Sequence, residues 1–505
     1  EGADDYTLTG FTSLWDASDG AEPGDLTITG EASDAGTIII NANSKTPFHF
    51  EDTSLVLSNM TIKNAESMDH GASINIGLDD SDAVTLLLDT VVIDNSGSDS
   101  SGGAVWVDGS VEVDDSELTD NGADDSGGAI YATGAVTVQN SHVSSNQTIE
   151  SGGAIYSESE VHVVSSLFEG NHANGGTGGA IHAEDNVFVD DSTFIENHAH
   201  ETGGAINGTS DVAVSNSAFT DNDAIDAGGA IWTYYDFEAL ATTFDSNVAG
   251  GDGGAVYVQE PDETGLLVED SIFKGNEGWN GGALYMFNTA PAVIRQSVFS
   301  GNVAGRHGGA LSFNVDLDTL EDSQFTNNSA DGAGGAVYVE NGVYDAGEDG
   351  DTGVRNNVFT GNTADAGGAL YIGDLYNDTV ITSNQFLRNR ALADGGGMHL
   401  GDSLDVDAYL ALVSRNVLTL NTAGQYGGGM FLQFHSTSTL PKNVTRNTFK
   451  RNSARSGGAL IIDGLQGCGS AAVSPRVAAR HFKFNTYSKN RGGRAANVGA
   501  ICTPD

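Results

Sequence analysis

Residues 151–173 read SGGAIYSESEVHVVSSLFEGNHA, and near copies of this stretch recur along the chain. Each copy opens with a Gly-Gly pair, continues through alternating apolar residues and ends on Phe-x-x-Asn. Here the markers are Gly152 with Gly153, and Phe168 with Asn171. Because the two markers keep a fixed phase from copy to copy, the stretch is one unit of a repeat, and the repeat decides the fold.

The spacing of the markers gives the size of one unit. Gly-Gly pairs begin 25 or 26 residues apart in the early copies, from Gly102 onward, and up to 33 residues apart later, through Gly457, and a degenerate copy follows at Gly492. The Phe-x-x-Asn marker lies five to seven residues before the next Gly-Gly pair throughout. Length therefore varies only between Gly-Gly-Ala and Phe, where insertions are expected to form loops.

Period-two alternation between the markers, as at Val161 and Val163, predicts short strands separated by turns. The Leu-x-x-Leu-x-Leu pattern of a leucine-rich repeat is absent, and a propeller blade needs about 40 residues. Each repeat unit is best explained as one coil of a parallel β-helix. The predicted fold is therefore an all-β, single-stranded parallel β-helix of about 17–18 coils. Ile155 and Phe168 are then expected to stack with their copies inside the helix, and Asn171 to join a ladder of amides in a turn.

The paired GGAI and FxxN motifs resemble the passenger repeats of chlamydial polymorphic outer-membrane proteins. The resemblance covers about residues 100–460, and the segment LVLSNMTIKNA (55–65) is similar to an early coil of that family. It implies a right-handed β-helix, export from the cell and an adhesin-like passenger at the cell surface.

The ends of the chain depart from the repeat. We expect an N-terminal cap over residues 1–23, the β-helix over 24–462 and a basic C-terminal cap over 463–505, because an uncapped β-helix exposes strand edges. Cys468 and Cys502 are predicted to form a disulfide that staples the C-terminal cap, which favours a secreted protein. Two free thiols are the alternative.

Charge is distributed unevenly along the 505 residues. The formal net charge is −50, yet residues 442–505 carry 11 Lys and Arg against 2 Asp and Glu, whereas residues 1–44 carry no Lys or Arg. An acidic body repels nucleic acid and anionic membranes. Opposite charges at the two ends favour head-to-tail self-association, which does not close and so builds filaments. The alternative is that the two caps simply differ in composition.

Catalytic and metal-binding motifs are weak. The few cations of the body form no cluster that a polyuronate lyase would need, and carboxylate pairs arise by chance in so acidic a chain. No cofactor is required. Ca²⁺ is the candidate ion, because oxygen ligands crowd one acidic loop, and a solvated loop is the alternative. The candidate calcium ligands are Asp345, Glu348, Asp349 and Asp351.

Two further sets of residues are candidates for surface interactions. An aromatic column directed outward could bind glycans or a neighbouring rod, or could stack on itself to stabilise the sheet; its members are Trp106, Tyr131, Tyr156, Trp232, Tyr257, Tyr285, Tyr338 and Tyr371. His182, Asn207 and Ser312 are expected to interrupt it. Sequons mark the candidate N-glycosylation sites, which are Asn59, Asn146, Asn207, Asn327, Asn377 and Asn443.

The leading interpretation is a secreted, non-catalytic structural protein of a cell-surface filament, appendage or layer that assembles head-to-tail. A monomeric adhesin that binds host or glycan surfaces is the first alternative, and a polysaccharide-active enzyme is the second. A glycan or another cell-surface molecule is a further candidate partner, whereas nucleic acid and direct membrane insertion are not expected.

Overall fold

The structure, a computed structural model, describes residues 7–8, 15–16, 26–29, 38–42, 44–77, 84–262, 265–288, 290–343, 353–375, 379–401, 411–433, 443–463, 484–492 and 498–501. The described residues form strands, bridges and turns. They contain no helix with the length and apolarity that a membrane crossing requires. The chain divides into two compact units, Glu1–Tyr235 and Asp236–Asp505.

One coil of the first unit shows how the repeat folds. Ile155–Ser157 lies in sheet B, Val161–Val164 and Leu167–Glu169 both lie in sheet A, and His172–Ala173 lies in sheet C. Each strand pairs in parallel with its equivalent in the next coil, as Val161 does with Val187. All-parallel pairing at the repeat distance is the pattern of a β-solenoid, and the predicted right-handed parallel β-helix is confirmed.

The strands of the first unit have the following bounds. Those of sheet A are Thr7–Leu8, Leu26–Thr29, Ile38–Asn41, Leu55–Lys63, Val84–Asp94, Gly109–Asp114, Glu117–Thr119, Val136–Gln139, His142–Ser144, Val161–Val164, Leu167–Glu169, Val187–Asp190, Thr193–Ile195, Val212–Ser215 and Ala218–Thr220. Those of sheet B are Trp15–Asp16, Phe48–Glu51, Ile74–Gly77, Val105–Val107, Ile130–Ala132, Ile155–Ser157, Ile181–Ala183, Ile206–Gly208 and Ile231–Thr233. Those of sheet C are Glu66–Ser67, Gly97–Ser98, Gly122–Ala123, Gln147–Thr148, His172–Ala173, His198–Ala199 and Asp223–Ala224.

The second unit repeats this order. Its sheet A strands are Phe237–Leu240, Thr243–Asp245, Leu266–Glu269, Ile272–Lys274, Ala292–Arg295, Val298–Ser300, Thr319–Glu321, Gln324–Thr326, Gly353–Arg355, Val358–Thr360, Val380–Thr382, Gln385–Leu387, Leu412–Ser414, Val417–Thr419, Asn443–Thr445, Thr448–Lys450 and Thr486–Ser488. Its sheet B strands are Val256–Val258, Leu284–Met286, Leu311–Phe313, Val337–Val339, Leu370–Ile372, Met398–Leu400, Met430–Gln433, Leu460–Asp463 and Val498–Ile501. Its sheet C strands are Val248–Ala249, Glu277–Gly278, Val303–Ala304, Ser329–Ala330, Thr363–Ala364, Arg390–Ala391 and Thr422–Ala423.

The number of complete turns is smaller than the number of coils predicted. The described residues make about 15 turns, against the 17–18 expected. The difference arises because the outermost coils have described strands in sheets A and B but none in sheet C.

The predicted cap boundaries also differ from the strand pairing. Thr7 pairs with Ile39 in sheet A and Trp15 pairs with Phe48 in sheet B, so strands of the β-helix begin inside residues 1–23. At the other end Thr486–Ser488 and Val498–Ile501 pair with the preceding coil. A further coil therefore lies within the segment predicted as the C-terminal cap. The N-terminal strands lack both the Gly-Gly and the Phe-x-x-Asn markers. The C-terminal coil has only degenerate ones, with Tyr487-x-x-Asn490 in place of Phe-x-x-Asn before the pair Gly492–Gly493.

Stacked apolar side chains fill the interior of each unit. Phe168 and Phe194 lie with ring centroids 4.8 Å apart at an interplanar angle of 8°, and Phe194 and Phe219 lie 4.9 Å apart. Ile155 and its copies form a second fully buried column. Both interior columns were predicted from the phase of the repeat, and both are confirmed.

Buried amides connect the coils beside the phenylalanine column. Asn171 Nδ2 donates hydrogen bonds to Asn197 Oδ1 in the next coil, at 2.9 Å, and to the carbonyl of Val143 in the previous one, at 3.0 Å. Asn146 donates to Asn171 in the same way. Because both polar ends of the amide are satisfied, a fully buried Asn is tolerated at every step. The predicted asparagine ladder is present in both units.

Two corners in each coil require a left-handed backbone. The first corner lies between the two strands of sheet A, as at Ser165 with φ of 47°, and the second corner precedes the ladder asparagine, as at Gly170 with φ of 61°. A third bend begins at Gly152, with φ of 69°. The next residue, Gly153, must be glycine for a steric reason instead, because a Cβ atom there would lie 1.9 Å from the carbonyl oxygen of Gly179.

Candidate functional site

The outward face of sheet B carries the aromatic column. Each strand of this sheet presents its central residue away from the interior, and register places Trp106, Tyr131 and Tyr156 in line, one per coil. The Tyr131 and Tyr156 ring centroids lie 5.1 Å apart with an interplanar angle of 1°. The predicted alignment is therefore present in the first unit, and most of its rings are half-buried.

Histidines continue the column where an interruption was expected. His182 stacks on Tyr156 at 4.8 Å, and burial lowers its pKa to about 4. Asn207 is buried and donates to Thr202 Oγ1, so it contributes no ring at its step. The next aromatic residue of this unit is Trp232, in register with Asn207.

In the second unit Tyr257 stacks near Tyr285, with centroids 5.3 Å apart. Ser312 is buried and lacks a ring, but His307 from the preceding turn fills the gap and stacks on Tyr338 at 4.4 Å. Tyr338 then stacks on Tyr371 at 5.2 Å.

Beyond Tyr371, two residues that sequence analysis did not include extend the column. His399 lies 4.7 Å from both Tyr371 and Phe431. Burial lowers the pKa of His399 to about 4, so the imidazole is uncharged at neutral pH.

The phenol groups of the column remain protonated donors. Tyr131 donates a hydrogen bond to the Glu158 carboxylate, and Tyr156 donates to Glu184. Burial, together with these acids, raises the pKa of both tyrosines above the usual range. Burial likewise raises the pKa of Tyr257 to about 12. Anionic residues thus line the edge of an uncharged column.

Stacking decides what the column can bind. An aromatic platform for a sugar must offer a free ring face, but inner members such as Tyr156 have both faces covered by Tyr131 and His182. Only ring edges and hydroxyl groups are left toward solvent. This arrangement favours the alternative that the rings stabilise the sheet by stacking on one another.

A polar groove of about 610 Å³ follows the first corner of the early coils. Several of its polar groups bond to one another, since Ser165 Oγ donates to Asp191 Oδ2 at 3.2 Å and the backbone N–H of Ser116 donates to Ser141 Oγ at 3.0 Å. His142 Nε2 lies 3.6 Å from a Glu169 carboxylate oxygen. Sequence analysis did not identify this groove, because its residues come from different coils.

Sheet C of the first unit brings two histidines and an aspartate together. His172, His198 and Asp223 are in register on successive strands, and His198 Nδ1 lies 2.7 Å from Asp223 Oδ2. The His172 and His198 ring centroids are 5.7 Å apart. The described residues nevertheless contain no group of three or more His, Cys, Asp or Glu that could hold a metal ion.

Several predicted site residues fall outside the described residues. These are the candidate calcium ligands Asp345, Glu348, Asp349 and Asp351, the cysteines Cys468 and Cys502, and the sequon Asn377. The calcium site and the disulfide stay predictions. Calorimetric titration with Ca²⁺ and intact mass measured before and after reduction would test them separately.

Two of the proposed glycosylation sites require correction. Asn146 is a fully buried rung of the ladder whose Nδ2 atom already donates to Asn171 and to the Leu118 carbonyl. Asn207 is 2% exposed. The folded chain therefore has no room for a glycan on either residue. Asn59 and Asn327 are exposed corner residues and remain candidates, as does Asn443 at the start of a sheet A strand.

The coil geometry defines the class of the protein as a right-handed parallel β-helix. The family described as "Right handed beta helix region" matches residues 36–219, in agreement with the strands observed there. The Chlamydia polymorphic membrane protein repeat matches residues 241–259 and 322–340. Each of these two segments contains one Phe-x-x-Asn and one Gly-Gly-Ala, so the resemblance inferred from the motifs is confirmed. Neither a curated protein nor a solved structure matches the chain significantly.

Proposed function

We propose that the chain is a secreted, non-catalytic structural β-helix of a cell-surface filament, appendage or layer. The likeness of its repeats to those of the Chlamydia polymorphic membrane protein supports a place at the surface. Several polar groups of the early groove hydrogen-bond to one another, which supports a structural role rather than a catalytic one.

Charge asymmetry is the observation that carries head-to-tail assembly. Residues 1–44 contain no Lys or Arg. In the last described coils, Lys489 and Arg491 are exposed and form no ion pair within the part of the chain that the structure describes. An acidic end and a basic end on one molecule attract their counterparts on other molecules, and such an interface repeats without closing.

The strands at both ends support the same proposal. Thr486–Ser488 has one described neighbour in sheet A, and Val498–Ile501 has one in sheet B. At the other end Leu26–Thr29 pairs only with Leu55–Lys63 among the described strands. A strand with an open edge can accept a strand from another chain.

Electron microscopy and light scattering across salt and protein concentrations test the assembly. We expect filaments at low ionic strength that shorten as salt rises, because exposed charges are screened within about 10 Å at 0.1 M salt. The double variant Lys489→Glu and Arg491→Glu should lose them. The double variant Lys63→Glu and Arg295→Glu changes the net charge equally, away from the last coils, and should retain them. Isolated particles under every condition would contradict assembly and favour the monomeric adhesin.

A further inference from the structure

Five cations occupy left-handed corners in the last coils. Among the described residues of the first unit, Asn, Asp, Ser and Gly fill every such corner except Thr90 and Glu196, and none is Lys or Arg. From residue 388 onward, five of the seven non-glycine corners are basic. These five residues are Arg388, Arg415, Arg446, Arg451 and Lys489.

The choice of residue at these corners is unfavourable for the backbone. Asn, Asp and Gly enter the left-handed region most readily, whereas a long side chain is strained there. Arg415 and Arg446 have φ of 57° and 60° at positions that hold Asn356 and Ser383 in the two preceding coils. Residues that cost folding energy where better ones are available indicate that another property of the side chain is needed.

Strand register arranges four of the five cations in two rows. Ser414 pairs with Thr445, so Arg415 and Arg446 follow at the first corner of adjacent coils, about 4.8 Å apart along the stack. Thr419 pairs with Lys450, which in turn pairs with Ser488, and this register aligns Arg451 and Lys489 at the second corner. We call these residues the first and second basic rows.

A groove accompanies each row. The first has a volume of about 430 Å³ and includes both arginines of the first row together with the hydroxyl side chains of Thr382, Ser414 and Thr445. The second has a volume of about 730 Å³ and includes both cations of the second row, Arg491, and further hydroxyl groups. Each groove thus offers cationic donors beside neutral hydrogen-bonding groups.

The cations of this region form no ion pair with another described residue. Nine exposed Lys and Arg residues within the described ranges 388–401, 411–433, 443–463 and 484–491 form no ion pair there, whereas Lys274 elsewhere binds Asp245 at 2.7 Å. The same ranges contain only two described acids, Asp394 and Asp463. The nine are Arg388, Arg390, Arg415, Arg446, Lys450, Arg451, Arg455, Lys489 and Arg491.

We propose that the two basic rows and their grooves form a lateral binding site for an acidic polysaccharide bearing carboxylate or sulfate groups. Arginine suits both anions, because its planar guanidinium donates two parallel hydrogen bonds. The hydroxyl groups provide partners for the neutral parts of a sugar. Cations repeated at coil spacing suit a ligand that is itself a repeating chain.

Other macromolecules fit the grooves less well. Neither groove includes an aromatic side chain, and single-stranded nucleic acid is held chiefly by stacking on such residues. A protein interface generally has an apolar core with aromatic anchors, whereas the apolar residues here are Val380, Leu412 and Leu420. The first basic row shares no residue with the pair Lys489 and Arg491 that tests head-to-tail assembly, so substitutions in that row test the polysaccharide site separately.

Binding of the purified chain to immobilised dextran sulfate and polygalacturonate, with neutral dextran as the blank, tests the proposal. The double variant Arg415→Asn and Arg446→Asn replaces each corner with a residue that favours φ near +60°. We expect binding to fall at least tenfold, the slope of log affinity against log salt to fall by about two, and the melting temperature to stay level or rise. The two polymers separate a sulfate preference from a carboxylate preference.

Ser383→Asn is the matched control, since it changes the first corner one coil earlier and should bind as wild type. The proposal is overturned if the double variant binds both polymers as well as wild type does, or if wild type binds neither at 0.15 M salt. It is also overturned if the double variant loses only self-association, because the rows then contact another copy of the chain. Filaments are scored separately, so their absence does not affect this result.

Discussion

Asn171 Nδ2 and Asn197 Oδ1 lie 2.9 Å apart, and this contact joins two coils through fully buried side chains. Asn171→Ala would leave the carbonyl of Val143 and the amide of Asn146 without their side-chain partner. Because each unsatisfied buried group costs about 1–3 kcal/mol, we expect the free energy of unfolding to fall by about 2–4 kcal/mol. Denaturant titration followed by circular dichroism measures it.

The control for this substitution is Asn174→Ala. Asn174 is exposed, and its Nδ2 atom donates to the Thr148 carbonyl at 3.1 Å, near solvent. That variant should change stability by less than about 1 kcal/mol. Equal effects of the two substitutions would show that the ladder contributes nothing specific.

The second prediction compares the stability loss when a phenylalanine of the interior column is removed with the loss when an outer phenylalanine is removed. Phe194→Ala removes a fully buried ring packed between Phe168 and Phe219, and should destabilise the first unit by about 3–5 kcal/mol. Phe188→Ala removes a ring that is 38% exposed on the outer face and should cost far less. Thermal unfolding of both variants checks the order, and a smaller loss for Phe194→Ala would rule out a close-packed column.

Substitutions at two glycines distinguish a position where glycine is required because a side chain would clash from one where it is preferred because the backbone is left-handed. Gly153→Ala would place Cβ 1.9 Å from the Gly179 carbonyl oxygen and should prevent normal stacking of the coils. Gly170→Ala meets nothing within 4 Å but has φ of 61°, so its cost should be about 1–2 kcal/mol. Soluble expression and melting temperature report the difference. Similar values for the two variants would contradict the close approach at Gly153.

Two buried histidines predict loss of stability in acid. The pKa of His182 and of His399 is lowered to about 4 by burial, while unfolded histidine titrates near 6.5. Between these values the unfolded chain binds more protons, so stability is fully present above about pH 6.5 and decreases as pH falls toward 4. The melting temperature of His399→Phe should depend less on pH across this window than that of wild type. If the melting temperature of this variant depends on pH as strongly as that of wild type, His399 does not contribute to the loss of stability in acid.

Glycosylation in a capable host should follow burial rather than the sequon alone. We expect glycans on exposed Asn59 and Asn327 and none on Asn146 or Asn207 in the folded protein. Peptide mass spectrometry after release with a glycosidase identifies the modified residues. A glycan on Asn146 would mean that the ladder forms after modification or does not include this residue.

The sequence alone predicted which side chains fill the interior, but it did not predict the arrangement of residues on the outer face. Ile155, Phe168 and Asn171 could be placed because burial and hydrogen bonding impose the same residue type in every coil. The outer face carries no such constraint, so His182 was expected to break a column that it continues. The sequon alone made Asn146 a glycosylation candidate, although the residue belongs to the ladder.

The basic rows had a signal in the sequence that pattern analysis passed over. An Arg or Lys directly precedes a ladder-type asparagine at 388–389, 415–416, 446–447, 451–452 and 489–490. These dipeptides become meaningful only when the corner before each asparagine is known to be left-handed, because the backbone preference then makes the cation unexpected.

The direction of the ladder hydrogen bonds has a mechanical consequence. Bonds such as that from Asn171 to Asn197 run from coil to coil, as do the backbone bonds of the three sheets. A pull along the stacking direction of either unit would therefore put the interfaces between coils in series, so each interface bears the full force and the weakest one yields first. Each unit should then yield in steps that release one coil of about 25 residues, and single-molecule stretching would record a sawtooth of closely spaced, low peaks.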